Sequence, residues 1–90
     1  MSRSIWKFKL DASQVSRFMP VGAKVLTAQM QGGVVTLWAD VDPDAQQEER
    51  HFRVFGTGWN MPREMGYSDV YIGTVQDGDF VWHVYELTGV

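Results

Sequence analysis

Residues 24–41 read KVLTAQMQGGVVTLWADV, and this stretch decides the fold. Runs of alternating apolar and polar residues flank Gly32-Gly33. Alternation with a period of two marks a half-buried strand. A Gly-Gly pair tolerates the positive φ angles of a two-residue type I′ hairpin turn. With that turn, Met30 faces Val35, Ala28 faces Leu37 and Leu26 faces Ala39. All three pairs are apolar, and in two of them a small residue lies across from a large one. The reverse face pairs Gln29 with Thr36, Thr27 with Trp38 and Val25 with Asp40. A one-residue slip would turn the apolar set to water, so pattern and turn specify one register.

The same period runs outward in both directions. In SIWKFKL, residues 4–10, Trp6, Phe8 and Leu10 share a face. QVSRFM, 14–19, is a weaker strand; Pro20 denies a ladder donor and holds Met19 extended, as at the end of an edge strand. RHFRVFG, 50–56, sets Phe52 and Val54 against His51, Arg53 and Phe55. A second hairpin, DVYIGTVQ-DG-DFVWHVYEL, takes Asp77-Gly78 as its turn. That register places Val75 opposite Phe80, Gly73 opposite Trp82 and Tyr71 opposite Val84. Its other face carries Val70, Ile72 and Thr74 against Val81, His83 and Tyr85. Both faces are rich in apolar groups, so the hairpin is central in a closed sheet or covered by a second copy of the chain. A homodimer with Val81, His83 and Tyr85 near the contact follows as an expectation. In DPDAQQEER, Asp42 and Pro43 suit at most a short helical turn. The expected fold is one all-β domain over 1–90, a small antiparallel sandwich or partly open barrel of five to six strands.

Composition narrows the function classes. Ninety residues hold one core, made from a 44% apolar fraction. No cysteine is present, which removes disulfides, thiolate nucleophiles and thiolate metal sites. The net charge is −3, and the eight Lys and Arg residues are scattered, unlike a nucleic-acid surface. No apolar run approaches the ~20 residues of a membrane helix. MSRSIWKFKL has no signal-peptide core, so the expected location is the cytoplasm.

The most loaded stretch is FGTGWNMPREMG, residues 55–66. Gly56-Thr57-Gly58 has the look of a phosphate loop, but neither GxGxxG nor GK[ST] is completed and no helix start follows. The plain reading is a long connection with glycines at its bends. Connections of this length carry binding surfaces often enough to single out Trp59, Asn60 and Arg63, with Trp and Arg favoured at binding hot spots. Trp38 and Arg53 join them as candidates for stacking and for meeting phosphate, although subunit or loop packing is the plainer role for Trp38. His51 and His83 have no metal partner in sequence. Asp40, Asp42 and Asp44 fail the calcium-loop pattern, with Ala45 and His51 where Gly and Glu are required. No catalytic set is expected, and no cofactor or metal.

IWKFKL, MPVGAKVLTAQMQGGVVTLWADVDPDAQQEERHFRVFGTG and YIGTVQDGDFVWHVYE together resemble a group of short bacteriophage and prophage proteins of unknown function. The most specific part is MPxGAxxLxxQxQxGxxxLWAxVDP followed by ERxFxxxGTG. The resemblance implies a phage-encoded protein working in the host cytoplasm. The expected function is non-enzymatic binding of a host protein, in takeover or counter-defence. A small-molecule (nucleotide) binder or sponge and a virion-associated structural module are the alternatives.

Overall fold

The computed structural model describes residues 2–62 and 68–89. Seven strands run through them: β1 (Ser4–Leu10), β2 (Gln14–Pro20), β3 (Lys24–Gln31), β4 (Val34–Val41), β5 (Gln47–Gly56), β6 (Ser68–Asp77) and β7 (Phe80–Thr88). They form two antiparallel sheets, ordered β1-β4-β3 and β2-β5-β7-β6. The architecture is a sandwich, not a closed barrel. It has one strand more than the upper expectation, because the weak QVSRFM pattern is a full strand paired to β5. DPDA forms no helical turn. The Asp42 carboxylate accepts from the Asp44 N–H at 3.0 Å, and the Asp42 carbonyl accepts from the Ala45 N–H at 3.1 Å. The local side-chain bond offers the backbone a turn in place of a helix.

The deciding hairpin turns at Gly32 and Gly33, with φ of 58° and 77°, the signs that a type I′ turn requires. Met30, Ala28, Gln29 and Thr27 meet the expected partners. Beyond Thr27 the register changes. A bulge ejects Leu26, and Val25 takes its place opposite Ala39. The extra residue faces outward and is exposed, while the apolar set stays inside.

The second hairpin corrects the sequence reading by one residue. Asp77 pairs with Phe80, so the turn residues are Gly78 and Asp79. Only Gly78 has a positive φ, the pattern of a type II′ turn. An Asp-Gly type I′ turn would require Asp77 itself at positive φ; the chain instead gives that conformation to glycine alone. Val75 therefore faces Trp82 and Gly73 faces Val84. Phe80 moves past the end of the core, where it is 64% exposed and stacks on Trp82 at 5.9 Å. A bulge at Ile72 then brings Tyr71 opposite Tyr85.

The core lies between the sheets. Leu10, Met19, Ala28, Val35, Leu37, Ala39, Val41, Phe52, Val54, Val75 and Val84 fill it, with Trp6, Phe8 and Trp82 packed against it. Every strand contributes through its alternate residues, as the period of two demands.

Candidate functional site

Four chain segments meet at one end of the sandwich. They are the β1–β2 connection at Asp11, Ala12 and Ser13, the β3–β4 turn at Gly33, the β6–β7 turn at Asp77, and the end of β5 with Trp59. Between them opens a cavity of about 310 Å³, floored by Leu10, Met30, Val35 and Val54 and walled by Trp59 and Trp82. That volume lies at the small end of ligand pockets, which run from about 300 to 1,000 Å³.

The GTG segment explains how Trp59 gets there. The Trp59 N–H donates to the Gly56 carbonyl at 3.0 Å, closing a four-residue turn with Gly58 at a φ of 86°. A positive φ at the third position defines a type II turn, which needs glycine there. The turn folds the Trp59 indole back over Gly56. A Cβ at position 56 would stand 2.6 Å from the indole nitrogen, so only glycine admits this packing. Gly56 in turn pairs with Trp82 on the neighbouring strand. The two indoles then meet edge to face, centroids 5.6 Å apart and planes at 82°. An indole over a glycine gap was expected at Gly73; the structure builds it at Gly56.

Two carboxylates stand at the mouth. Asp77 lies beside Trp82, whose Nε1 is 3.4 Å from Asp77 Oδ2. Asp11 is held by Arg17 Nη2 at 2.9 Å. Among the described residues that line the cavity, no Lys, Arg or His is present. The site is therefore aromatic, apolar and acid-edged.

The sequence-selected residues divide among different surfaces. Trp59 lines the cavity, and Asn60 follows it, exposed in the connection. Arg63 lies outside the described residues. Trp38 is on the outer face of the three-stranded sheet, between Lys7 of β1 and Thr27 of β3. Arg53 is on the outer face of the four-stranded sheet, its guanidinium 4.7 Å from the Phe55 ring centroid. The described stacking and phosphate candidates thus do not converge. Sequence reasoning missed Met30, Asp11, Asp77 and Trp82 as cavity residues. The sequence reading placed Trp82 opposite Gly73, and the signal that could have found it was its inward parity beside a turn.

The expected dimer contact, Val81, His83 and Tyr85, also lies on the outer face of the four-stranded sheet, and all three are half-buried. His83 Nε2 bonds the Thr57 hydroxyl at 2.7 Å and Nδ1 bonds the Thr74 hydroxyl at 3.0 Å; Tyr71 in turn bonds Thr74. Phe55 is 2% exposed, with Tyr85 edge-on at 5.9 Å. On this face Phe55 is covered by side chains of the same chain, while Tyr71 is 56% exposed.

Among the described residues, no group of three metal-ligating side chains occurs and no helix is long and apolar enough to cross a membrane. The chain belongs to the DUF7352 family, a domain of unknown function whose model matches residues 1–89. No curated protein and no solved structure matches it.

Proposed function

We propose that this chain is a non-enzymatic binding protein whose recognition site is the aromatic cavity at the open end of the sandwich. The observation that carries the reading is Trp59 folded over Gly56 against Trp82. A glycine that only this indole requires, a type II turn that only Gly58 permits, and a right-angle pair of indoles beside a cavity form a specified arrangement. A plain connection between strands needs none of them. Trp is among the residues that dominate binding energies when it stands in a pocket. The resemblance to short phage proteins favours a host protein in the cytoplasm as partner, with one of its side chains seated in the cavity. The nucleotide alternative has less support, since Trp38 and Arg53 stand on opposite outer faces and no described cation reaches the cavity.

The test is a pull-down from host lysate with the wild-type chain and with Trp59→Ala, each checked for fold by circular dichroism. A partner held by the first and lost by the second is the expected result. A partner retained by a folded Trp59→Ala chain would move the recognition surface away from the cavity. Detection of the chain in purified virions would instead favour the structural alternative.

A further inference from the structure

We infer that the cavity takes an organic ammonium head group, either on a partner's lysine or methylated lysine side chain or on a free quaternary amine. The inference rests on the cavity being the recognition site, and adds the chemistry of what enters it.

Three features converge on a cation. The first is the pair of indoles, both of which line the cavity with their planes at 82°. A cation within about 6 Å of such a ring is attracted by its quadrupole, most strongly for Trp and most when water is excluded. The second is charge. Asp77 and Asp11 line the mouth, and no described lining residue is basic. An anion entering here would meet two carboxylates, and the nearest described cation, Arg17, is already paired with Asp11. A cation would meet Asp77, whose only described polar contact is the long 3.4 Å approach of the Trp82 indole nitrogen. Asp11 is already shared with Arg17, so Asp77 is the carboxylate with capacity to spare. The third is polarity. Met30, Val35 and Val54 give an apolar floor that suits methyl groups better than phosphates. Alkylammonium ions, with a diffuse charge and an apolar shell, match all three; a metal ion would find an apolar floor where it needs oxygen ligands.

Phe80 stacks on Trp82 without itself lining the cavity. The two rings lie at an interplanar angle of 16°, although Phe80 is largely exposed. The stack limits the motion of the Trp82 indole that does line the cavity.

The experiment titrates the whole chain with choline, with its neutral carbon isostere 3,3-dimethylbutanol, with inorganic phosphate, and with peptides carrying lysine or trimethyllysine. Tryptophan emission and thermal shift are the readouts. Choline or the trimethyllysine peptide should bind at least about fivefold more tightly than the neutral isostere, since the charge is the only difference. A preference for the peptide over choline assigns a protein source for the ammonium; the reverse assigns a free ligand. Asp77→Asn should weaken the cation by a similar factor and leave the isostere unchanged. Gly56→Ala keeps both indoles but displaces Trp59, and should remove binding in a folded chain. Equal binding of choline and the isostere would overturn the ammonium inference while leaving the cavity as the site. Binding of phosphate in place of choline would do the same. No response to any probe, together with a Trp59→Ala chain that keeps its host partner, would overturn both.

Discussion

At one end of the inner face of β5 and β7, Arg50 and Glu86 meet as an ion pair in the space between the sheets, beside a groove that Ala23, Val25 and Tyr71 also line. At the other end, about 20 Å away at strand rise, Gly56, Trp59 and Trp82 leave that space open. The Arg50 end is built from charge. Arg50 Nε and Nη2 donate to the two Glu86 oxygens at 2.6 and 2.8 Å, and Nη1 donates to the Ala23 carbonyl at 2.5 Å. Both side chains are mostly out of water, at 16% and 13% exposure. The open end is built from aromatic rings with few hydrogen bonds between them. Phe52, Val54 and Val84 separate the two. The contrast shows two ways to finish a sandwich. The ion pair satisfies its own donors and acceptors and leaves little unpaired capacity. The indole pair borders a mainly apolar cavity with few hydrogen bonds of its own.

The largest effect should come from breaking the Arg50 end. Glu86→Leu leaves a mostly buried guanidinium with one carbonyl partner, and should cost roughly 3 kcal/mol or more in urea denaturation. The double change Arg50→Met, Glu86→Leu should recover most of that loss, because a desolvated ion pair is worth little against a packed apolar pair. A single variant that loses less than about 1 kcal/mol would mean that the pair behaves as a surface contact, and the contrast between the ends would fail. The pH dependence has a definite sign. The hydrogen bonds that Arg50 donates to Glu86 raise the Arg50 pKa above its ordinary value, against the opposing pull of burial. A raised folded pKa on a base means full stabilisation below the unfolded pKa, lost only as pH climbs through the folded one. Raising the pH from about 7 to about 9 should therefore release nothing from this group.

At the open end the effects should be smaller and unequal. Trp82→Ala removes a half-buried indole from between the sheets and should cost about 2–3 kcal/mol, under the range for a fully buried aromatic. Trp59→Ala removes a ring that is 52% exposed and should cost about 1 kcal/mol, near the value of one edge-to-face pair. That ranking sharpens the comparison: Trp82 belongs to the fold and Trp59 to the site. If the two substitutions cost the same, Trp59 is a core residue that the cavity merely borders.

The same two ends show what a sequence can and cannot disclose. Strict alternation told which residues of each strand face inward, so Phe52, Val54, Leu37 and Ala28 were legible as core. The Gly32-Gly33 turn fixed its own register, because both residues are glycine and the turn type admits them in either place. The Asp77-Gly78 turn did not, because two turn types fit the same letters; they differ by one residue in the turn and so by two in the register, which keeps the faces and changes the partners. Bulges at Leu26 and Ile72 left no mark in the pattern; each places one more residue on an edge strand at the side where β3 approaches β6. The pairing of β5 with β7 joins residues about thirty apart, and only that pairing brings Gly56 beside Trp82. Trp59 was therefore visible as a candidate, whereas the ring it meets and the glycine it covers were not. Arg50 and Glu86, on the same inner face, were hidden for the same reason.

The outer face of β5, β6 and β7 supplies the control, and the smallest expected effect. It lies on the same strands as the open end but points away from the cavity. Thr74→Val removes the hydroxyl that links Tyr71 to His83 and keeps a β-branched residue on the strand. Thr74 is exposed, so water takes over the lost bonds and the cost should be about 0.5 kcal/mol. The cavity should respond to its ligands as before. Light scattering should return the monomer mass of 10.3 kDa for wild type and variant alike, since Phe55 and His83 are already covered or bonded within the chain. A wild-type mass of twice that value, reduced to 10.3 kDa by Tyr85→Lys, would restore the homodimer through Val81, His83 and Tyr85. In that case the covering of Phe55 by Tyr85 would be one half of a subunit contact, and the molecule would carry two binding surfaces, one at the open end and one on this face.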